Sequence, residues 1–143
     1  SASWKIAFGH HPYISNGKYG NAGSYELPDW TGSSGISGSI EEKFFGQGVF
    51  EGLQTVVCDT DIDLYISAHD LNRQWLPNKP GCGDAEFVVS GAGSSTANLE
   101  GQQESLFESA QLGFVYIYMD DTSLFAEFMD IYGNMNFFRD LHK

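Results

Sequence analysis

At 143 residues the chain can hold one domain with a real core and is too short for two ordinary ones. Aromatic residues make up 15% and charged residues only 18%, with 17 glycines, a balance that excludes a coiled coil or a disordered chain and suits a β-rich globular domain. The net charge of −12, from 19 acidic and 7 basic residues, weighs against nucleic acid and anionic membrane as partners, and the scattered cations form no basic stripe.

The sequence opens at Ser1-Ala2-Ser3-Trp4 with no leader, which reads as a cut or processed end. Trp4 to Phe8 reads as a short buried strand that runs into Gly9-His10-His11-Pro12. Residues 15–39 are dense in Gly, Ser and Asn and read as a long loop, of the functional or mobile kind. Ser39, with Glu41 and Glu42 behind it, has the chemistry of a helix start. Val49, Phe50, Leu53, Val56 and Val57 then recur at helical spacing, so a helix is predicted over roughly 47–57.

Asp61 to Ser67 reads as a strand ending at Ala68-His69-Asp70, which places a polar residue at the strand's C-terminal end. Glu86 to Ser90 is a further strand, stopped by Gly91-Ala92-Gly93, and residues 96–110 read as polar loop. The last third has the pattern of a β-meander: Leu112 to Met119, Ser123 to Ile131 and Met135 to Arg139. Its turns fall at Asp120-Asp121 and at Tyr132-Gly133-Asn134. No apolar run approaches the ~20 residues that span a bilayer.

Three histidines carry the candidate chemistry. His10 and His69 each follow a predicted buried strand, and two such strands side by side would bring both imidazoles to one sheet edge. Imidazole ligates zinc, iron, nickel or copper, so the pair makes half a metal site. Taken singly, each is more simply a satisfied, partly buried side chain. Asp59, Asp61 and Asp63 alternate, but the missing glycine and closing Glu leave them a solvated face rather than a calcium loop. Cys58 and Cys82 are either a disulfide or two buried thiols; a count of two does not choose. Tyr19, Tyr25 and Trp30 in the long loop are candidates for a substrate mouth, against the plain reading of single exposed aromatics.

Gly9-His10-His11-Pro12-Tyr13-Ile14-Ser15-Asn16-Gly17 resembles the GH-x-P-x-x-S-x-G motif of calcineurin-like metallophosphoesterases of the purple acid phosphatase type. Ser67 to Gln74 resembles their GHxHNxQ motif, Val88 to Gly93 the following strand and glycine turn, and Leu112 to Asn134 their closing hairpins. The resemblance implies an α/β (α+β) chain, half of a four-layered α/β/β/α sandwich, with a mixed sheet ending in the C-terminal meander. Residues 1–143 would be the C-terminal part of a single metallophosphoesterase domain. It also implies two metal ions (Fe, Zn or Mn), which in that family polarise a phosphate ester and supply the nucleophile. His10 and His69 would ligate the second of them, His11 would lie beside the site to contact substrate or to support a ligand, and Asn72 and Gln74 would orient the loop. The resemblance favours a Cys58–Cys82 disulfide and an exported (secreted or periplasmic) protein.

Two departures shape the functional expectation. Leu71 stands where the motif has its second His, and leucine offers no ligand atom, so the first metal site is weakened or lost. The motifs that supply the bridging Asp, the Asn ligand and the leaving-group acid have no counterpart here, so the N-terminal half of the same protein, as a separate chain or a cleaved fragment, is the expected partner. The primary reading is a metal-dependent phosphoesterase to which this chain brings part of the metal site. The alternative is a phosphatase-like binding or structural module that has lost catalysis. A carbohydrate-binding β-sandwich is a weaker third, opposed by the histidines at strand ends.

Overall fold

Two sheets and one helix build the computed structural model, which describes residues 2–18, 21–22 and 50–143. The larger sheet contains β1 (Ile6–Phe8), β2 (Leu64–Ser67), β3 (Arg73–Leu76), β4 (Glu86–Ser90) and β5 (Phe107–Ser109), in the order β1-β2-β4-β3-β5. β1, β2 and β4 run parallel, while β3 pairs antiparallel with both β4 and β5. A helix, α1, covers 50–57 between β1 and β2, as a parallel pair requires of its crossover. The second sheet is the predicted meander, β6 (Gly113–Met119), β7 (Ser123–Asp130) and β8 (Met135–His142). It closes the chain, as expected, and forms a three-stranded sheet of its own.

The larger sheet is covered on both faces, which is why its parallel strands read as continuous apolar runs. Tyr65, Leu76, Phe87 and Val89 face one way and pack with Val57, Tyr13, Phe50 and Leu53. Leu64, Trp75 and Val88 face the other way and meet Leu124, Ala126 and Phe128 of the meander. The layers are therefore helix, mixed sheet and meander. Among the described residues nothing covers the meander's outer face, where Phe114, Tyr116, Tyr118 and Phe138 are each 42–54% exposed.

The turns of the meander are where Asp and Gly placed them. The Asp120 carboxylate accepts from the Thr122 and Ser123 amides, at 2.8 Å each, and Asp130 does the same for Tyr132 and Asn134. Gly133 sits at φ 83°, a conformation that costs other residues strain. Cys58 and Cys82 form a disulfide that ties the end of α1 to the loop before β4 across 24 residues. Closing a loop of that length restricts the unfolded chain by about 3 kcal/mol. The alternating aspartates do structural work at the surface: Asp61 pairs with Lys5, and Asp63 with Lys143 and the Lys5 amide.

Four strand expectations need correcting. β1 begins at Ile6 rather than Trp4, whose indole turns aside to donate to the Asp120 carbonyl at 2.8 Å. Arg73 and Gln74, expected within the motif's loop, open the buried strand β3, and 107–109, expected as loop, is the edge strand β5. β8 runs on to His142, three residues past the expected end. The predicted helix start at Ser39 and the aromatics Tyr19, Tyr25 and Trp30 lie outside the described residues.

Candidate metal centre

The C-terminal ends of β1 and β2 lie side by side in parallel register, Phe8 opposite Ile66. The ladder continues two steps past the strands, with the Gly9 amide on the Ile66 carbonyl (3.0 Å) and the Ala68 amide on the His10 carbonyl (3.1 Å). His10 and His69 thus leave the same sheet edge from adjacent strands, as their place in the sequence suggested. His10 Nε2 and His69 Nδ1 are 3.1 Å apart. His11 joins them, its ring centroid 4.5 Å from that of His69 and 5.0 Å from that of His10. One nitrogen from each of the three lies within 4.8 Å of the others.

Burial, together with the neighbouring imidazoles, depresses the pKa of His11 and of His69, although Asp70 partly opposes the fall at His69. Both rings are thereby held neutral near pH 7, with lone pairs able to bind a cation. This donor set fits the imidazole side of one metal ion. It offers nothing for a second at position 71, where the leucine is half-buried and its carbonyl accepts from the Ala97 amide.

The backbone of His69 is in the left-handed region, at φ 49°, which costs a non-glycine residue on the order of 1–3 kcal/mol. The surroundings over-determine that turn. The Asp70 amide bonds the Ala68 carbonyl and the Asn72 amide bonds the Asp70 carbonyl, at 2.6 and 2.8 Å. Asp70 is fully buried, and its carboxylate accepts from the Ser15 hydroxyl. Gly17 and Gly91 let this happen: a Cβ on Gly17 would lie 2.2 Å from the Asp70 carboxyl carbon, and one on Gly91 would lie 1.9 Å from the Asp70 carbonyl oxygen. Gln74 completes the seam, accepting from the Asn16 amide at 2.7 Å and donating to Ser15 and Asn72. The loop carrying His10 and His11 is therefore latched to the loop carrying His69 through buried polar contacts. Sequence reading expected Gln74 to orient this loop; it did not reveal Ser15 and Asp70, because nothing local marks a buried Asp–Ser contact 55 residues apart.

Tyr65 adds a third fastening, its hydroxyl donating to the His11 carbonyl at 2.8 Å. Burial pushes this phenol up to about 12. Because the folded value lies above the ordinary one near 10, its stabilisation is complete below pH ~10 and is lost as pH rises through about 12. Tyr65→Phe is expected to flatten the loss of stability between pH 10 and 12, and to cost about 1 kcal/mol at pH 8 through the missing hydrogen bond. Denaturant midpoints measured across that range check this; an unchanged slope in the variant rules it out.

A cavity of about 410 Å³, lined by Trp4, Asp63, Glu86 and Lys143 among others, opens at the opposite end of the strands. Ligands of open α/β sheets bind beyond the carboxyl ends, which here is the histidine edge.

No family model matches the chain. Over 139 residues, 94% of its length, it is 23% identical to purple acid phosphatase 3 of Arabidopsis thaliana, of which it spans 31%. Among solved structures, purple acid phosphatase PPD1 from yellow lupin (Lupinus luteus) superposes over 97% of this chain and 25% of its own, with a TM-score of 0.67 and 19% identity. GAP50, the anchor in the inner membrane complex of Plasmodium, superposes over 99% of this chain and 37% of its own, with a TM-score of 0.68 and 22% identity. The chain has the fold found in purple acid phosphatases and resembles one of them in sequence along nearly its whole length, while spanning only 25–37% of each of these relatives.

Proposed function

We propose that this chain is the C-terminal part of a metallophosphoesterase domain and supplies part of the metal site of an acid-phosphatase-like hydrolase. The observation that carries the reading is the convergence of His10 and His69, 3.1 Å apart at the C-terminal edge of a parallel pair of strands. A metal ion (Fe, Zn or Mn) bound at such an edge polarises a phosphoryl oxygen and lowers the pKa of bound water. His10 and His69 would hold that ion, with His11 beside them. Asp70, Ser15 and Gln74 keep the two loops at a fixed spacing, so that the imidazoles need little reorganisation on binding.

The rest of the centre comes from an N-terminal half of the same protein. Two observations support that partner: the chain spans 31% of its curated relative, and the outer face of the meander presents exposed aromatic side chains. The Cys58–Cys82 disulfide suits an exported protein. The test is hydrolysis of an aryl phosphate by the native protein before and after dialysis against a chelator. Activity is expected to fall with the metal and to return on reloading; full activity in metal-free protein overturns the reading.

One residue favours a second reading. Leu71 removes a ligand, and GAP50, which shares the fold, is described as an anchor, so this chain would serve in recognition or assembly. That reading expects no turnover with any added metal, and a gain of hydrolysis in Leu71→His. Turnover by the unmodified protein eliminates it.

A further inference from the structure

At the histidine edge the ligand count is redistributed rather than merely reduced. Leu71 subtracts one imidazole from the motif that contains His69, and His11 adds one at the variable position of the motif that contains His10. Nitrogens bound to one zinc ion at 2.0–2.1 Å, at a tetrahedral angle, sit about 3.3 Å apart. The His10–His69 pair is at 3.1 Å, and the third nitrogen lies within 4.8 Å of both. The backbones are fixed, by the Tyr65 hydroxyl on the His11 carbonyl and by the Ala68 amide on the His10 carbonyl. The rings themselves are exposed or half-exposed, so rotation about their side-chain bonds brings the third nitrogen in by the ångström or so required.

We propose that His10, His11 and His69 bind a single zinc-type divalent ion together, with His11 a ligand rather than a substrate contact. The cluster contains three imidazoles and no carboxylate or thiolate among the described residues, a donor set that selects Zn²⁺, Ni²⁺ or Cu²⁺ over Mg²⁺ or Ca²⁺. Three ligands from this chain would leave at least one position open for water, an incoming group or a ligand from the rest of the protein, as a reactive zinc site requires. The inference rests on the metal half of the proposed function and is independent of whether the protein hydrolyses phosphate esters.

The test is binding, not turnover. Native protein stripped with a chelator is titrated with Co²⁺, followed by its visible absorption, and with Zn²⁺, followed by calorimetry. The expected result is a tetrahedral cobalt spectrum, with His11→Ala and His11→Gln each weakening binding as much as His10→Ala does. Loss of an outer hydrogen-bond partner alone costs 10–100-fold in affinity, so loss of a ligand should cost at least about 100-fold. His142→Ala, on β8 away from the cluster, should bind as the unmodified protein does. Circular dichroism of each variant shows that the fold is kept. If both His11 variants bind normally while His10→Ala and His69→Ala do not, the three-imidazole site is wrong and the two-imidazole reading stands. If the unmodified protein binds neither ion, both fail.

Discussion

Replacing His69 with glycine is expected to weaken metal binding by at least about 100-fold while leaving the fold as stable as before, or more stable by up to about 1 kcal/mol. The two effects have opposite signs because His69 holds a left-handed backbone that glycine adopts freely, at φ 49°. The gain is partly offset because glycine has more freedom to lose on folding. A histidine kept for packing alone would behave differently: its loss would lower stability and leave cation binding untouched. Metal affinity by calorimetry and unfolding in denaturant, measured on the same variant, separate the two cases. A variant destabilised by more than 2 kcal/mol with unchanged affinity would make His69 structural. His69→Ala should lose the metal equally and show no gain in stability, since alanine has the same backbone strain.

The largest effect on stability is expected at Arg73. This side chain is fully buried on β3 and bonds four groups from three segments. Its Nε donates to the Gln111 carbonyl at 3.0 Å, its Nη1 to the Met129 carbonyl and the Asn136 side chain at 2.9 Å each, and its Nη2 to the Ser109 hydroxyl at 3.0 Å. The guanidinium therefore pins the meander to the mixed sheet. Gly113 makes room for it, since a Cβ there would lie 2.7 Å from Nη1. Arg73→Met fills the volume but leaves the part-buried Gln111 and Met129 carbonyls without this donor, at about 1–3 kcal/mol each. The expected loss is about 3–5 kcal/mol. Arg73→Lys should recover little of it, because a single ammonium cannot serve a fork of partners. A loss below 1 kcal/mol in both variants would show that the two layers are held by their apolar contact alone.

Arg73 also shows where sequence reading stopped. Strands with one apolar face, or with two, were legible: Asp61 to Ser67, of which Leu64 to Ser67 is β2, and Glu86 to Ser90 as apolar runs, the meander as alternation punctuated by Asp and Gly. β3 was not, because Arg-Gln-Trp-Leu has the polarity of a loop until one knows that each polar group has a partner across the layers. Glu86 is the same case in reverse. It opens β4 as a charged residue, yet it is buried against the Trp75 indole and the Arg139 guanidinium. Such partners are 11 and 53 residues away, and no local pattern encodes them.

The site divides along the same line. His10 and His69 were legible because each follows an apolar strand, and parallel pairing of those strands does the rest. The nearness of His11 to both followed from the motif resemblance and not from strand position, since it depends on how the chain turns after Gly9. The latch of Ser15, Asp70 and Gly17 was not legible, since it needs two loops to meet and a glycine to let them close. Position 71 reads the other way: the motif predicts a ligand there, and the sequence itself shows that there is none.

The central claim is that the histidine edge holds metal and that hydrolysis depends on it. Elemental analysis of the native protein, paired with aryl phosphate turnover on the same sample, tests this most directly. Bound Fe, Zn or Mn is expected, reduced in His10→Ala and His69→Ala, with turnover reduced in step. Full turnover in a sample that contains no transition metal would contradict it.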